Sequence, residues 1–322
     1  MLRKLLTIFL GLSMLLLAGC GSSHTEFLLS ASSFSLWGTN ARAAEREMRE
    51  FLRELERQIG LKDPGSDLSR LNAAAAGERV EFRTHTLAIW KRSLELNELT
   101  GGAFSPALYP LTLAWGFDSD QKRVPSDAEI SAARALCGTE HFVTEGNLVC
   151  KTLEGAMLDF GGIAKGYAAD VCRDIARAHG VQGFINLGGN IYIVGNKQDG
   201  SAYRVGIQHP RMAQGTTFAV LPVSNASAVT SGDYQNYFES AGVRYCHIMD
   251  AQTGAPVRGD LISVTLIDED SCRADALSTA LMVMGMEQAV SFCEEQNLRY
   301  LLISADGSYQ TNLELELTGG KA

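Results

Sequence analysis

Residues 158–170, LDFGGIAKGYAAD, constrain the fold more than any other stretch. Gly161, Gly162 and Gly166 let backbone come close to a neighbour or a ligand. From Ile163 onward the apolar residues recur at helical spacing. Ile163, Tyr167, Val171 and Ile175 form one stripe, and Ala164, Ala168, Cys172 and Ala176 form the next. The pattern predicts a strand ending near Phe160, a glycine turn, and a helix. A turn of this kind presents free N–H groups and the positive end of a helix dipole, which suits phosphate. Lys165 adds a full positive charge. A strand-to-helix turn without any ligand fits the same letters equally well. Asp159-Phe160-Gly161 also spells a kinase metal loop. The chain lacks the kinase glycine loop and catalytic loop, and GGIAKG lacks P-loop spacing.

Around this stretch the spacing predicts helices over 41–59, 84–99, 126–137 and 274–296, and LKDPGSDLSRLN (61–72) reads as a turn leading into a short helix. Val143–Leu153 reads as a strand pair turning at Gly146-Asn147. Strands are expected at 184–186, 191–195, in AYRVGIQHP, TTFAVLPVSNASAVTS, RYCHIMD and LISVTLID, and at 299–304. Strands come in neighbouring runs with helices between some of them. This predicts an α+β fold, and without a Pro/Ser-rich linker, a single large domain.

The N-terminus is set aside as a targeting segment. Arg3 and Lys4 precede an apolar run, Leu5–Leu17, that ends in Leu-Ala-Gly-Cys. Residues 1–19 are expected to be a lipoprotein signal peptide, cleaved before a lipidated Cys20. Residues 20–30 are expected to be the tether, and 31–322 the domain. The chain would then sit outside the cytoplasm, anchored to a bacterial membrane. The run is short for a span of about 20 residues, and no later stretch reads as one. With 28 Lys and Arg against 37 Asp and Glu, the net charge is −9, and no basic stripe points to nucleic acid. Cys137, Cys150, Cys172, Cys246, Cys272 and Cys293 lack zinc spacing. Cys137 with Cys150 is the pair closest in sequence for a disulfide, and buried free thiols fit as well.

Two further segments carry chemistry. In SCRADALSTALMVMG (271–285), Asp275 and Thr279 lie four apart on a predicted helix, so their oxygens share a face. They could serve as two ligands of a hard cation such as Mg²⁺. A helix cap by Asp275, with Thr279 bonding back to a carbonyl, uses the same residues. Residues 229–257 carry Thr230, Ser231, Asp233, His247, Asp250 and Thr253. His247 is the histidine best placed to act as a base, although a structural strand histidine and a plain turn at DAQTG are the blander alternative.

Taken together and in order, LDFGGIAKGYAAD, NLGGNI, VTSGDYQNYFE, HIMDAQTG and ADALSTALMVMG resemble the ApbE family of FAD:protein FMN transferases. SDLSRLN (66–72) and GGAFSPAL (101–108) are similar to earlier family segments. The resemblance covers nearly the whole mature chain. It implies a T-fold-like domain with helices packed on antiparallel or mixed sheets. It also implies FAD as substrate, Mg²⁺ as cofactor, and transfer of FMN to a Thr or Ser hydroxyl of an exported flavoprotein through a phosphoester, with AMP leaving. Redox-complex subunits and FMN-binding domains are the acceptors it suggests. FAD hydrolysis to FMN and AMP, or flavin binding without catalysis, are the alternatives.

By family pattern the metal ligands are Asp275, Thr279 and the carbonyl of Gly162. FAD contacts fall at Trp37, Lys62, Ala103, Phe104, Ser105, Asp159, Lys165 and Met249. His247 would activate the hydroxyl, with Asp250 orienting it. The chain departs from the pattern in three places. Trp37-Gly38-Thr39 stands for Met-Gly-Thr, Lys62 stands for a frequent Tyr, and Phe104-Ser105-Pro106-Ala107 stands for Phe-Asp-Pro-Thr.

Overall fold

An eight-stranded sheet carries the fold, and its spatial order follows the order of the chain. The computed structural model describes residues 23–27 and 30–318; the signal peptide and Cys20 lie outside the described residues. The strands are β1 (Ser23–Phe27), β2 (Ser30–Trp37), β3 (Gln182–Leu187) and β4 (Asn190–Val194). They continue as β5 (Ser227–Gly232), β6 (Leu261–Asp268), β7 (Arg299–Ser304) and β8 (Tyr309–Thr311). Every neighbouring pair is antiparallel. The stretch read as a tether therefore contributes an edge strand at Ser23–Phe27.

Helices α1 (Ala41–Ile59), α2 (Asp67–Ala73), α3 (Thr84–Leu99), α4 (Tyr109–Ala114), α5 (Asp127–Arg134) and α6 (Ala164–Ala178) are inserted between β2 and β3. Helix α7 (Ser271–Glu295) links β6 to β7. Strand alternation sorts the core into two layers. Tyr192, Val194, Val264, Leu266 and Leu302 face α6 and α7, meeting the small residues Ala164, Ala168, Cys172 and Ala176 of α6. Ile193, Ile267, Leu301 and Ile303 face the other way. There they meet Val205, Ile207, Phe218 and Leu221 of a hairpin, Tyr203–Gln208 with Thr217–Val223. With both faces covered, β6 is buried along all but its last residue.

The predicted helices stand where their local signals put them. Ser126 closes a capping box with Glu129 at α5, and Ser66 caps α2. Helix α7 is apolar and long enough to cross a membrane by composition, yet it packs on β5 and β6 as the core helix. Its N-cap is Asp270, whose side chain accepts from the Arg273 N–H. Asp275 is thus inside the helix, and the cap reading of Asp275 does not hold. The six described cysteines are free, Cys137 and Cys150 included.

Candidate active site

The expected strand before the glycine turn is absent. Met157–Phe160 joins no sheet, and its polar groups bond to α2 and to the loop at Pro106. The Asn72 amide donates to Leu158 O at 2.9 Å and accepts from Leu158 N at 2.8 Å. Asp159 N donates to Pro106 O. This explains the SDLSRLN segment. Ser66 starts the helix, and buried Asp67 accepts from Arg83 N, Arg83 Nε and Thr86 Oγ1. Asn72 then clamps the loop that leads into the site. Replacing Asn72 with Ala removes both bonds and leaves the Leu158 amide and carbonyl unpaired, at a cost of about 1–3 kcal/mol. Thermal denaturation of the Asn72→Ala protein should show that loss; an unchanged Tm counts against the clamp.

The loop delivers the chain to α6 where that helix crosses α7. Gly166 makes the crossing possible: a Cβ there would lie 2.3 Å from Ser271 O and 2.7 Å from Asp275 Cβ. Gly166 N donates to Asp275 Oδ2 at 2.9 Å. Asp275 is 4% exposed, and its Oδ1 has no hydrogen-bond partner among the described residues. One turn on, Thr279 Oγ1 lies 3.7 Å from where a Cβ on Gly162 would be. Asp275, Thr279 and Gly162 therefore converge. Among the described residues no three His, Cys, Asp or Glu side chains gather as a metal cluster. A carboxylate, a hydroxyl and a backbone carbonyl form a sparse set of hard oxygen donors. That set suits Mg²⁺, which keeps waters and takes few protein ligands.

Several amides of the turn are already engaged. Gly161 N bonds Asp159 Oδ1, Ile163 N and Ala164 N bond Phe160 O, and Gly166 N bonds Asp275. Gly162 N and Lys165 N are without a protein partner among the described residues. Lys165 Nζ folds back to Gly161 O at 3.2 Å. Burial raises the Asp159 carboxyl, opposed by the Gly161 N–H and the Lys165 charge.

These groups open onto a cavity of about 360 Å³. Ala103, Phe104 and Ser105 line one wall, brought there by the glycine turn after α3, where Gly101 and Gly102 take φ of 57° and 87°. Asp159, Gly162, Lys165, Asp275, Thr279, His247 and Met249 line it as well. A second cavity of about 760 Å³ adjoins it and reaches Lys62. Tyr109, Asp159, Asn236 and His247 line both.

His247 follows the strand Val243–Cys246 and is half-buried. Its backbone N–H and its Nδ1 both meet Asn236 O, at 2.9 and 3.3 Å. A carbonyl can only accept, so Nδ1 carries the proton and Nε2 keeps its lone pair. Burial and the Lys165 charge push the imidazole down to about 4. Lys122 Nζ donates to Asn236 Oδ1 at 2.6 Å and holds that residue in turn.

Two expected site residues stand elsewhere. The Asp250 carboxylate binds Gln252 N and Thr253 Oγ1 within its own turn, and so does not orient His247. Trp37 lies at the far end of α6. It pairs with Gln182, and Asn40 bonds His179 O past the helix C-terminus. Helix α6 runs on from Lys165 to Ala178, about 20 Å, and separates that end from Lys165. Gly38-Thr39 turns the chain from β2 into α1 at that end. Of the other residues singled out in 229–257, Thr230 and Ser231 line the cavity, while Asp233 pairs with Arg211. Tyr109, Asn190 and Asn236 also line the cavity and had no residue-type signal of their own, although Asn190 falls within NLGGNI.

The chain belongs to the ApbE family, whose model matches residues 25–302. A protein of Vibrio cholerae named FAD:protein FMN transferase is 34% identical over 90% of this chain and 91% of its own length. One of Treponema pallidum with the same name is 34% identical over 79% of this chain and 74% of its own. The apo crystal structure of the Pseudomonas stutzeri flavinyl transferase ApbE superposes with a TM-score of 0.81 at 32% identity, covering 92% and 94% of the two chains. The ApbE protein of Thermotoga maritima gives 0.85 at 31% identity, covering 91% and 97%.

Proposed function

We propose that this chain is an Mg²⁺-dependent FAD:protein FMN transferase acting on a Thr or Ser hydroxyl of an exported flavoprotein. The observation that carries the reading is the convergence of Asp275, Thr279 and Gly162 with Lys165 and His247 on one cleft. The names of its relatives support the same reading.

In the transfer, the acceptor hydroxyl oxygen forms a bond to the FMN phosphorus. The bond from that phosphorus to the bridging oxygen breaks, and the electron pair leaves with AMP. The hydroxyl proton passes to His247 Nε2 and then to water. Asn236 holds the imidazole in the tautomer that can accept it. Lys165 and the free Gly162 and Lys165 amides hold phosphate oxygens. Mg²⁺ held by Asp275, Thr279 and the Gly162 carbonyl would polarise those oxygens and neutralise charge on the departing phosphate. Ala103, Phe104, Ser105, Asp159, Met249 and Lys62 offer walls for the rest of FAD. Trp37 and Asp250 have no part in this reading.

The purified protein with FAD, Mg²⁺ and a candidate flavoprotein tests it. Flavin fluorescence on the denatured acceptor, with AMP released, is the expected result. AMP with free FMN would make the chain an FAD pyrophosphatase. Tight FAD binding without AMP would leave a flavin-binding lipoprotein. We place the domain outside the cytoplasm, anchored by lipid on Cys20; Cys20→Ser should move it from the membrane to the soluble fraction.

The His247 shift sets a pH dependence. An imidazole held down to about 4 is neutral throughout the physiological range. The acid limb of kcat/KM should therefore fall well below 6.5, the ordinary histidine value. The phosphates of bound FAD favour the imidazolium, so the acid limb of kcat should lie above that of kcat/KM. Stability follows the same group. Because the folded value is depressed, the unfolded chain binds the extra proton first, and stability is lost as pH falls from 6.5 toward about 4. A kcat/KM limb at 6.5 or higher would remove His247 as the base.

A further inference from the structure

Four buried side-chain polar atoms lack a hydrogen-bond partner among the described residues: Ser32 Oγ, Gln58 Oε1, Asn190 Nδ2 and Ser271 Oγ. Of these residues only Asn190 lines the cleft. It is 3% exposed, so its amide is cut off from bulk water as well as from protein partners. An orphaned amide of this kind is costly, by about 1–3 kcal/mol, and is normally satisfied by a ligand or an ordered water.

Its position says what the ligand group is. Asn190 is the first residue of β4, directly after the Gly188-Gly189 turn, and is paired with Leu187. Its side chain shares a strand face with Tyr192 and Val194, which pack beneath α6 and α7. The cleft that it lines also carries Gly162, Lys165, Asp275 and Thr279. All are small, polar or charged, and none offers a flat face to a ring. A phosphate oxygen needs donors, and the loop amides that could supply them are mostly engaged.

We propose that Asn190 Nδ2 donates a hydrogen bond to a phosphate oxygen of the dinucleotide's diphosphate bridge and is a substrate-binding residue of the transfer site. The inference rests on the transferase reading. It adds a donor fixed on the sheet, in place before substrate arrives, to the donors carried by the loop and α6. A donor fixed in this way strengthens as charge builds on the phosphate during transfer.

Asn190→Asp and Asn190→Ala test the assignment. Neither removes a hydrogen bond to a described residue; Asn190→Ala should melt within a few degrees of the wild type, while Asn190→Asp, which buries an unpaired carboxylate, should melt lower. Asp has the same shape but sets an anion against the phosphate. Asn190→Ala should weaken FAD binding about tenfold, and Asn190→Asp more, as followed by flavin fluorescence. The kcat/KM for transfer should fall about 10²-fold or more in Asn190→Asp. ADP, used as a competitor of FAD, should lose affinity by the same factor, since it shares the diphosphate and lacks the flavin. FAD affinity unchanged in Asn190→Asp overturns the assignment, whether the amide holds a structural water or faces the cation. So does a loss for FAD that ADP does not share. In those cases the wild type still transfers FMN, which separates this failure from failure of the transferase reading. A wild type that does not bind FAD sinks both.

Discussion

Asp275→Asn is expected to slow FMN transfer by about 10²–10³-fold, the scale of removing one preorganised charge at a phosphoryl-transfer site. The fold should hardly notice. Asparagine keeps the shape, and its Oδ1 can still accept from Gly166 N, the one hydrogen bond the carboxylate makes among the described residues. What disappears is a negative charge in a 4%-exposed position, directed at a space walled by Thr279 and Gly162. Such a charge has a purpose only if a cation balances it. Transfer rate against Mg²⁺ concentration, together with Tm, checks the expectation. The apparent KM for Mg²⁺ should rise steeply at unchanged Tm. Full activity at ordinary Mg²⁺ would take Asp275 out of the metal site.

Gly166→Ala should damage stability and activity together. The added methyl would sit 2.3 Å from Ser271 O, 2.7 Å from Asp275 Cβ and 2.8 Å from Cys272 Cα. Two of these atoms are backbone and cannot rotate away, so α6 and α7 must move apart. Overpacking of this kind costs about 1–3 kcal/mol or more. Each kcal/mol lowers Tm by about 2–4 °C in a domain of this size. The same movement stretches the 2.9 Å bond between Gly166 N and Asp275 and carries Lys165 away from Asp275. Thermal melts and transfer rates should fall in step. A variant that melts and turns over like the wild type would show that the crossing is looser than described.

Much of the cleft was legible because its residues fall in ordered segments of unusual composition. Gly162, Lys165, His247, Met249, Asp275 and Thr279 all reach the same cavity. Trp37 was misplaced because a Gly-Thr pair after an aromatic residue looks alike at either end of a strand. Only the pairing of β2 with β3 shows which end it occupies. Asp250 was misplaced because proximity in sequence to His247 suggested a partner. The turn that begins at Asp250 takes up the carboxylate first, as Asp does so readily in turns.

By itself the sequence determined the local elements. The apolar stripe of α1, the capping box at Ser126, the turn at Gly146-Asn147 and the small-residue face of α6 are all short-range effects, set by caps, periodicity and side-chain size. The ordered motifs also determined the family. Tertiary structure alone decided which atoms meet. It made Asp275 a buried mid-helix carboxylate with Asp270 as the cap, set Asn72 as the brace of the Leu158 loop, and left the Asn190 amide without a partner. Gly166 and Asp275 touch across 109 residues of chain. A contact of that separation depends on strand register and helix crossing, where a shift of one residue turns a side chain to the opposite face. No local pattern records it.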